Sequence, residues 1–142
     1  MRRSLIRVAA AAAVMAMTAC YSYRAVPVER KYAAAEAGAP VIRLSAQKYF
    51  TRMRSLSPVA AINNRAVELS AQGRFGEAEI LFREVVAEDP REPAGYNNLG
   101  ILCELSGRRD EAFRMYAAAC RLRPGNAAFK RNFSSFADRA GE

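Results

Sequence analysis

The sequence contains no histidine and no tryptophan, and cysteine occurs only three times in 142 residues. Without histidine it lacks the most common general base and the most common metal ligand. It also has no phosphate-binding loop and no Ser/His/Asp set. We therefore expect no enzyme activity, no cofactor, no metal site and no small-molecule substrate. About half of the residues are hydrophobic, which allows one modest globular domain.

A hydrophobic run long enough to span a membrane is also missing. The N-terminus, "MRRSLIRVAAAAAVMAMTAC", has a basic start followed by an uncharged apolar run from Val8 to Ala19. As a helix this run would reach roughly 18 Å, short of the ~30 Å hydrocarbon core of a bilayer. The pattern predicts a secretory signal peptide over residues 1–19.

The end of this run, "MTAC", resembles the lipobox of bacterial lipoproteins, with Met17 where leucine is usual. The resemblance implies that Cys20 becomes the new N-terminus and carries three acyl chains, such as palmitate, which exceeds the two signals needed for stable attachment. Tyr21 and Ser22 follow, where an aspartate beside the cysteine would signal inner-membrane retention. We therefore expect a periplasm-facing protein anchored to the outer membrane. The alternative is ordinary cleavage, for instance after Ala16, with an incidental Cys20.

Positive charge is concentrated close to this anchor. Residues 21–58 carry seven basic and two acidic side chains, whereas residues 59–124 carry nine and ten. We expect residues 20–40 to form a solvated tether, the alternative being a basic segment held against the anionic bilayer. Nucleic acid is not expected as a partner of an exported chain.

An apolar stripe at helical spacing follows the tether. It consists of Ile42, Ala46, Tyr49, Phe50, Met53 and Leu56. The spacing predicts an amphipathic N-terminal helix over residues 41–57. Such a helix would cover the domain that follows, or would be offered to a partner or to the membrane interface.

Two stretches further along echo each other at an offset of 34 residues. "AQGRFGEAEILFREVVAEDP" spans residues 71–90, and "LSGRRDEAFRMYAAACRLRP" spans residues 105–124. The matched pairs are Asn64 and Asn98, Gly73 and Gly107, Arg74 and Arg108, Glu77 and Glu111, Ala78 and Ala112, Phe82 and Tyr116, and Pro90 and Pro124. Glycine suits a left-handed helix end, alanine allows two helices to cross closely, and proline ends the second helix. Each unit is therefore predicted to be helix, turn, helix.

The period and the residue types resemble the tetratricopeptide repeat. The second copy is the closer match, with Tyr96, Leu99 and Gly100 where the first has Ile62, Arg65 and Ala66. The resemblance implies an all-α fold, a short superhelix of two helix-turn-helix repeats over 59–92 and 93–126, within a domain spanning 58–140. Ser57 and Pro58 provide a helix start.

A further amphipathic helix is predicted over residues 126–139. Phe129, Phe133 and Phe136 lie on one face, with polar residues between them. Two repeats are too few to bury their own faces, because each packs only on its neighbour. We therefore expect this capping helix and the helix over 41–57 to cover the two ends.

In tetratricopeptide domains the first helix of each unit lines a concave groove that accepts a peptide or a partner helix. By correspondence the groove residues here are Asn63, Val67, Ser70, Asn97, Ile101, Glu104 and Arg131. Asparagine can donate and accept hydrogen bonds along a peptide backbone. The alternative is that these asparagines lie on a solvent face. The two-carboxylate clamp of chaperone-binding members is not expected, because Asn63 and Val67 occupy the positions of its lysine and asparagine.

Two further patterns predict structure without chemistry. Cys103 and Cys120 would lie ~10 Å apart along a hairpin axis, beyond the ~7 Å limit for a disulfide, so both are expected to be free thiols. The acidic residues around Glu79 are expected to form a solvated face paired with Arg74 and Arg83.

In architecture the chain is similar to the small repeat-containing lipoproteins that assist pilus or secretion-channel assembly, the pilotin-like and Flp/Tad-type group. The resemblance implies a membrane-anchored adaptor with a protein or peptide partner in the groove. Two alternatives stay open. One is a structural envelope protein that contacts outer-membrane assembly or peptidoglycan machinery, and the other is a soluble periplasmic subunit.

Overall fold

A computed structural model describes residues 23–28 and 47–138. In this part of the chain five helices form two hairpins and a C-terminal cap. They are α1 (Pro58–Ala71), α2 (Phe75–Glu88), α3 (Pro93–Leu105), α4 (Arg109–Leu122) and α5 (Ala127–Ala137). The described chain is mostly helical and forms the predicted short all-α superhelix.

The two hairpins turn in the same way at the predicted glycines. Gly73 and Gly107 have φ angles of 78° and 73°, which glycine adopts without steric cost. After Gly73, the N–H of Arg74 donates to the carbonyl of Leu69 at 3.0 Å, and the Arg108 N–H donates to the Cys103 carbonyl at 2.9 Å. This Schellman arrangement satisfies the last carbonyls of α1 and α3.

Helix starts are capped by side chains. The hydroxyl of Ser57 accepts a hydrogen bond from the Ala60 N–H at 3.1 Å, and Pro58 opens α1 as expected. Asn126 caps α5 by accepting from the N–H groups of Ala128 and Phe129. The cap therefore starts where the sequence predicts it.

The residues that match between the copies are buried between helices. Ala78, Phe82, Ala112 and Tyr116 are at most 1% exposed. Gly100 allows α3 to approach α4 closely, since a Cβ there would lie 2.9 Å from the Tyr116 ring. The repeat pattern therefore encodes the interhelical core.

The N-terminal cover is not the predicted helix over 41–57. Two antiparallel strands, β1 (Tyr23–Pro27) and β2 (Tyr49–Met53), pair with Ala25 opposite Thr51. The pairing extends one residue further, because the Val28 N–H donates to the Lys48 carbonyl at 2.9 Å. β2 lies in the groove, so the domain is covered by a strand.

Leu56 shows why the helical stripe failed. The prediction placed it on the buried face of a helix, yet it is fully exposed. Residues 48–53 instead have hydrogen-bond partners along both edges of an extended chain, which removes the cost of burying an unpaired backbone. The tether prediction over 20–40 also needs correction, because residues 23–27 form β1. Residues 1–22 and 29–46 lie outside the described part of the chain, and so does the predicted signal peptide.

Within residues 23–28 and 47–138, no helix has the length and apolar character needed to cross a membrane.

Candidate functional site

The concave face formed by α1, α3 and α5, called the groove below, brings the predicted site residues together. Six of them are buried on its floor: Asn63, Val67, Ser70, Asn97, Ile101 and Glu104. Arg131 is exposed at the rim, with its guanidinium 5.4 Å from the centre of the Tyr49 ring. The groove holds an extended chain, as predicted, but this chain is the protein's own segment 47–53.

Three asparagines placed 34 residues apart hold this segment by its backbone. In each pair the side-chain oxygen accepts from the backbone N–H of one strand residue, and the side-chain nitrogen donates to its carbonyl. The pairs are Asn132 with Tyr49, Asn98 with Thr51, and Asn64 with Met53, at 2.7 to 3.0 Å. We call this set the asparagine ladder. It satisfies the edge of β2 that faces away from β1.

Two more asparagines connect the rungs. Asn63 donates to the Thr51 carbonyl at 2.9 Å, and Asn97 donates to the Tyr49 carbonyl at 3.1 Å. The ladder is also linked sideways, because Asn98 donates to the Asn63 side chain at 2.9 Å and Asn132 to the Asn97 side chain at 2.8 Å. Such a satisfied network fixes the orientation of every amide.

A buried lysine lies at one end of the segment. The Lys48 ammonium donates to the Asn132 carbonyl at 2.8 Å and to the Ser135 hydroxyl at 2.7 Å. It also lies 3.2 Å from the carboxylate of Glu104, and the side chains of both ions are at most 6% exposed. Partners of opposite charge and good hydrogen-bond geometry are what a buried ammonium requires.

Aromatic rings complete this pocket. The Lys48 nitrogen is 5.4 Å from the centre of the Tyr116 ring and 6.0 Å from that of Phe136. The Tyr116 hydroxyl donates to Glu104 at 2.8 Å. Burial, together with the Glu104 carboxylate, raises the pKa of Tyr116 well above its ordinary value. Tyr116 therefore stays protonated and serves as a fixed hydrogen-bond donor.

The next side chain on the same face of β2 is apolar. Phe50 stacks on Phe82 with ring centres 6.1 Å apart and lies beside Val67 in the core cluster. Two positions further, Arg52 pairs with Glu68 at 3.2 Å on the surface. The side chains read from this face of the segment are thus lysine, aromatic and arginine.

Strand β1 is anchored on the second repeat. The Tyr23 hydroxyl donates to Glu92 at 2.9 Å, and its ring lies 5.9 Å from that of Phe129. Burial and the Glu92 carboxylate raise the pKa of Tyr23. The sheet is therefore tied to the helices through both strands.

The acidic residues of α2 and α4 are paired, as expected for a surface face. Glu79 and Glu111 bind the guanidinium groups of Arg83 and Arg108 at 2.6 to 3.1 Å. Burial opposes ionisation of Glu79, but the hydrogen bonds from Arg108 and Arg83 outweigh it and lower its pKa. These contacts join consecutive repeats and leave no carboxylate poised for proton transfer in this cluster.

Cys103 and Cys120 are free thiols, as predicted. Burial raises the pKa of the Cys103 thiol to about 12 and also raises that of Cys120. Among residues 23–28 and 47–138, no group of three or more His, Cys, Asp or Glu side chains is placed to hold a metal ion. Cys20, the predicted lipidation site, lies outside this part of the chain.

Four residues of the site were not named from the sequence as groove residues: Lys48, Asn64, Asn98 and Asn132. A signal for three of them was present, because Asn132 follows Asn98 by the same 34 residues that separate Asn98 from Asn64. Lys48 gave no such signal, because the sequence does not mark a lysine as buried.

A family model described as "Tetratricopeptide repeat" matches residues 59–87, which span most of the first hairpin. No curated protein matches the chain. Tetratricopeptide repeats are typically non-catalytic interaction modules, and the fold supports binding of a protein partner.

Proposed function

We propose that this protein is a membrane-anchored adaptor of the bacterial envelope, whose repeats hold an extended segment of protein. One observation carries the proposal: the asparagine ladder grips three alternate residues of an extended chain by backbone groups alone. Every protein offers these backbone groups, and only an extended segment presents them at the right interval. The ladder therefore recognises a conformation.

The proposed location rests on residues 1–22. The basic start, the short apolar run and "MTAC" favour lipidation of Cys20, and Tyr21 and Ser22 favour the outer membrane over the inner one. The domain would then face the periplasm on a tether. In this arrangement it would assist assembly of a pilus or a secretion channel by holding a strand of one component near the membrane.

The proposed role is binding without catalysis. The polar groups of the groove are engaged in holding backbone, and the buried Lys48 and Glu104 neutralise each other. No step of this role needs a cofactor or a metal.

Labelling with a radioactive fatty acid tests the anchor. We expect label on the wild-type chain and none on the Cys20→Ala chain, because the thiol of Cys20 and the amino group created by cleavage are the acylation sites. Label that persists in Cys20→Ala, or is absent from both, would remove the lipoprotein proposal and leave the soluble periplasmic subunit.

Site-specific photocrosslinking in whole cells tests the adaptor role. The crosslinker replaces Arg131 at the groove rim and, as the control, Ile80, which is exposed on α2. We expect an envelope protein to be captured from position 131 and not from position 80. Capture from position 80 alone would place the partner on α2 and contradict the groove proposal. The captured protein also shows whether the pathway is pilus assembly, secretion or peptidoglycan maintenance.

A further inference from the structure

The floor of the groove has the chemistry of a site that can be emptied. Its buried polar groups include Asn63, Asn97, Asn98, Asn132 and Glu104. Paired amides and buried ion pairs add little net stability, because water satisfies the same groups when they are exposed. If the segment left, water could take over its hydrogen bonds. An apolar floor would not tolerate this change, since it would expose a large hydrophobic surface.

Two pockets on this floor select side chains. One encloses the Lys48 ammonium with Glu104, Ser135 and the Asn132 carbonyl, and the other stacks Phe50 on Phe82. Residues two apart on a strand point to the same face, so both pockets read one face of the bound chain. The ladder accepts any extended backbone, and the pockets choose among sequences.

The connection of the segment to the helices allows it to leave. Residues 54–57 join β2 to α1, and the side chains of Arg54, Ser55 and Leu56 are exposed. Release of the strand would therefore break no packing in this linker. The short connection also keeps the segment at an effective concentration of about millimolar, so it competes strongly with any other strand.

We propose that the groove is a selective receptor for a partner strand with a lysine two residues before an aromatic, and that segment 47–53 is a built-in copy of this ligand which the partner displaces. This inference rests on the proposed adaptor function and names the chemistry of the partner. The built-in strand keeps the groove closed until a partner strand of higher affinity arrives.

The test uses the full chain carrying Lys48→Ala, which weakens the built-in strand and leaves the pocket residues unchanged. The probe is a fluorescein-labelled peptide with the sequence of residues 46–54, AQKYFTRMR, and binding is followed by fluorescence anisotropy. We expect the variant to bind at least about tenfold more tightly than the wild type, because its internal competitor has lost a charge-assisted contact. Lys130→Ala, which removes an exposed lysine on α5, is the matched control and should bind like the wild type.

A second peptide with alanine in place of its lysine tests selectivity. It should bind the Lys48→Ala chain at least about tenfold more weakly than the first peptide. A folded variant that binds neither peptide, or both equally, overturns the proposal. If circular dichroism shows that Lys48→Ala does not fold, Phe50→Ala serves instead, with a peptide lacking the aromatic as its comparison.

Two further outcomes separate this inference from the proposed function. Selective peptide binding without any crosslink from position 131 in cells would keep the selectivity and refute the adaptor role. A crosslink without selective binding would do the reverse. Wild-type dimers that the peptide dissolves, and that Asn98→Ala abolishes, would show that a second copy supplies the strand and would refute a separate partner.

Discussion

Asn98 uses the full hydrogen-bonding capacity of its side chain. Its oxygen accepts from the Thr51 N–H at 2.7 Å and from Asn97 at 3.1 Å, and its nitrogen donates to the Thr51 carbonyl and to Asn63, both at 2.9 Å. All four partners are buried, so no water can replace this amide easily. The centre of the ladder is therefore its most sensitive point.

Asn98→Ala is expected to lower the free energy of unfolding by about 2 to 4 kcal/mol, because it leaves the buried N–H and carbonyl of Thr51 unsatisfied. Asn64→Ala is the matched variant at the half-exposed end of the ladder, where water can take over, and should cost only about 1 kcal/mol. Urea denaturation followed by circular dichroism measures both values. Equal losses would contradict the central role of Asn98.

Cys103 makes stability depend on pH in the alkaline range. Its thiol pKa is raised from 9.0 to about 12 in the folded chain, because burial disfavours the thiolate. Below pH 9 the thiol is protonated in both states and pH has no effect. Above pH 9 the unfolded chain loses the proton first, so stability falls as the pH rises toward 12. Tyr23 and Tyr116, whose pKa values are also raised, act in the same direction.

We therefore expect the urea midpoint to be flat from pH 7 to 8.5 and to fall above pH 9. The decline should be shallower in Cys103→Ala, which lacks the thiol but keeps both tyrosines. Identical slopes in the two chains would show that Cys103 does not contribute.

At the scale of elements, the sequence determined the helices well and the strands poorly. The 34-residue period located α1 to α4, because Gly73, Ala78, Phe82 and their counterparts have packing or turn roles that depend on local sequence. The strand β2 was mistaken for a helix. Its residues do not alternate between apolar and polar, because the groove buries a lysine on one face and Thr51 on the other. Its partners lie far away in sequence, and no local pattern shows them.

Two glycines give a matched test of helix packing. Gly100→Ala is expected to destabilise the chain by about 1 to 3 kcal/mol, because the added Cβ would lie 2.9 Å from the Tyr116 ring. Gly76→Ala, inside α2 with no atom within 4 Å of the added Cβ, should stabilise by about 0.5 to 1 kcal/mol. Thermal unfolding distinguishes the two signs. A stabilising Gly100→Ala would show that α3 and α4 can separate without cost.

For the whole molecule, the segment and the repeats should differ in local stability. The amides of Tyr49, Thr51 and Met53 are held by side chains over a polar floor, whereas Leu102 lies in the apolar core of α3. We expect the three strand amides to exchange with deuterium together, and faster than the Leu102 amide, because polar contacts resist opening less than buried apolar area does. Amide exchange followed by NMR measures these rates. Equal rates for all four would show that the segment opens only when the whole domain unfolds.

Of the candidate site, the sequence predicted the groove and its preference for an extended chain, but not the occupant. The groove residues follow from the repeat period, which is local information. The occupant is set by contacts between residues 83 and 84 positions apart, such as those of Asn132 with Tyr49 and of Lys48 with the Asn132 carbonyl. Such contacts become visible only when the chain has folded.

The ladder also works as a ruler. Each step of 34 residues along the repeats advances two residues along the strand, and two residues of strand measure about 6.6 to 6.8 Å. The pitch of the superhelix at its inner face and the rise of β2 are therefore commensurate, and the rigid strand sets how far neighbouring repeats can spread. A longer version with one more 34-residue unit would need a strand longer by two residues to keep every rung in register.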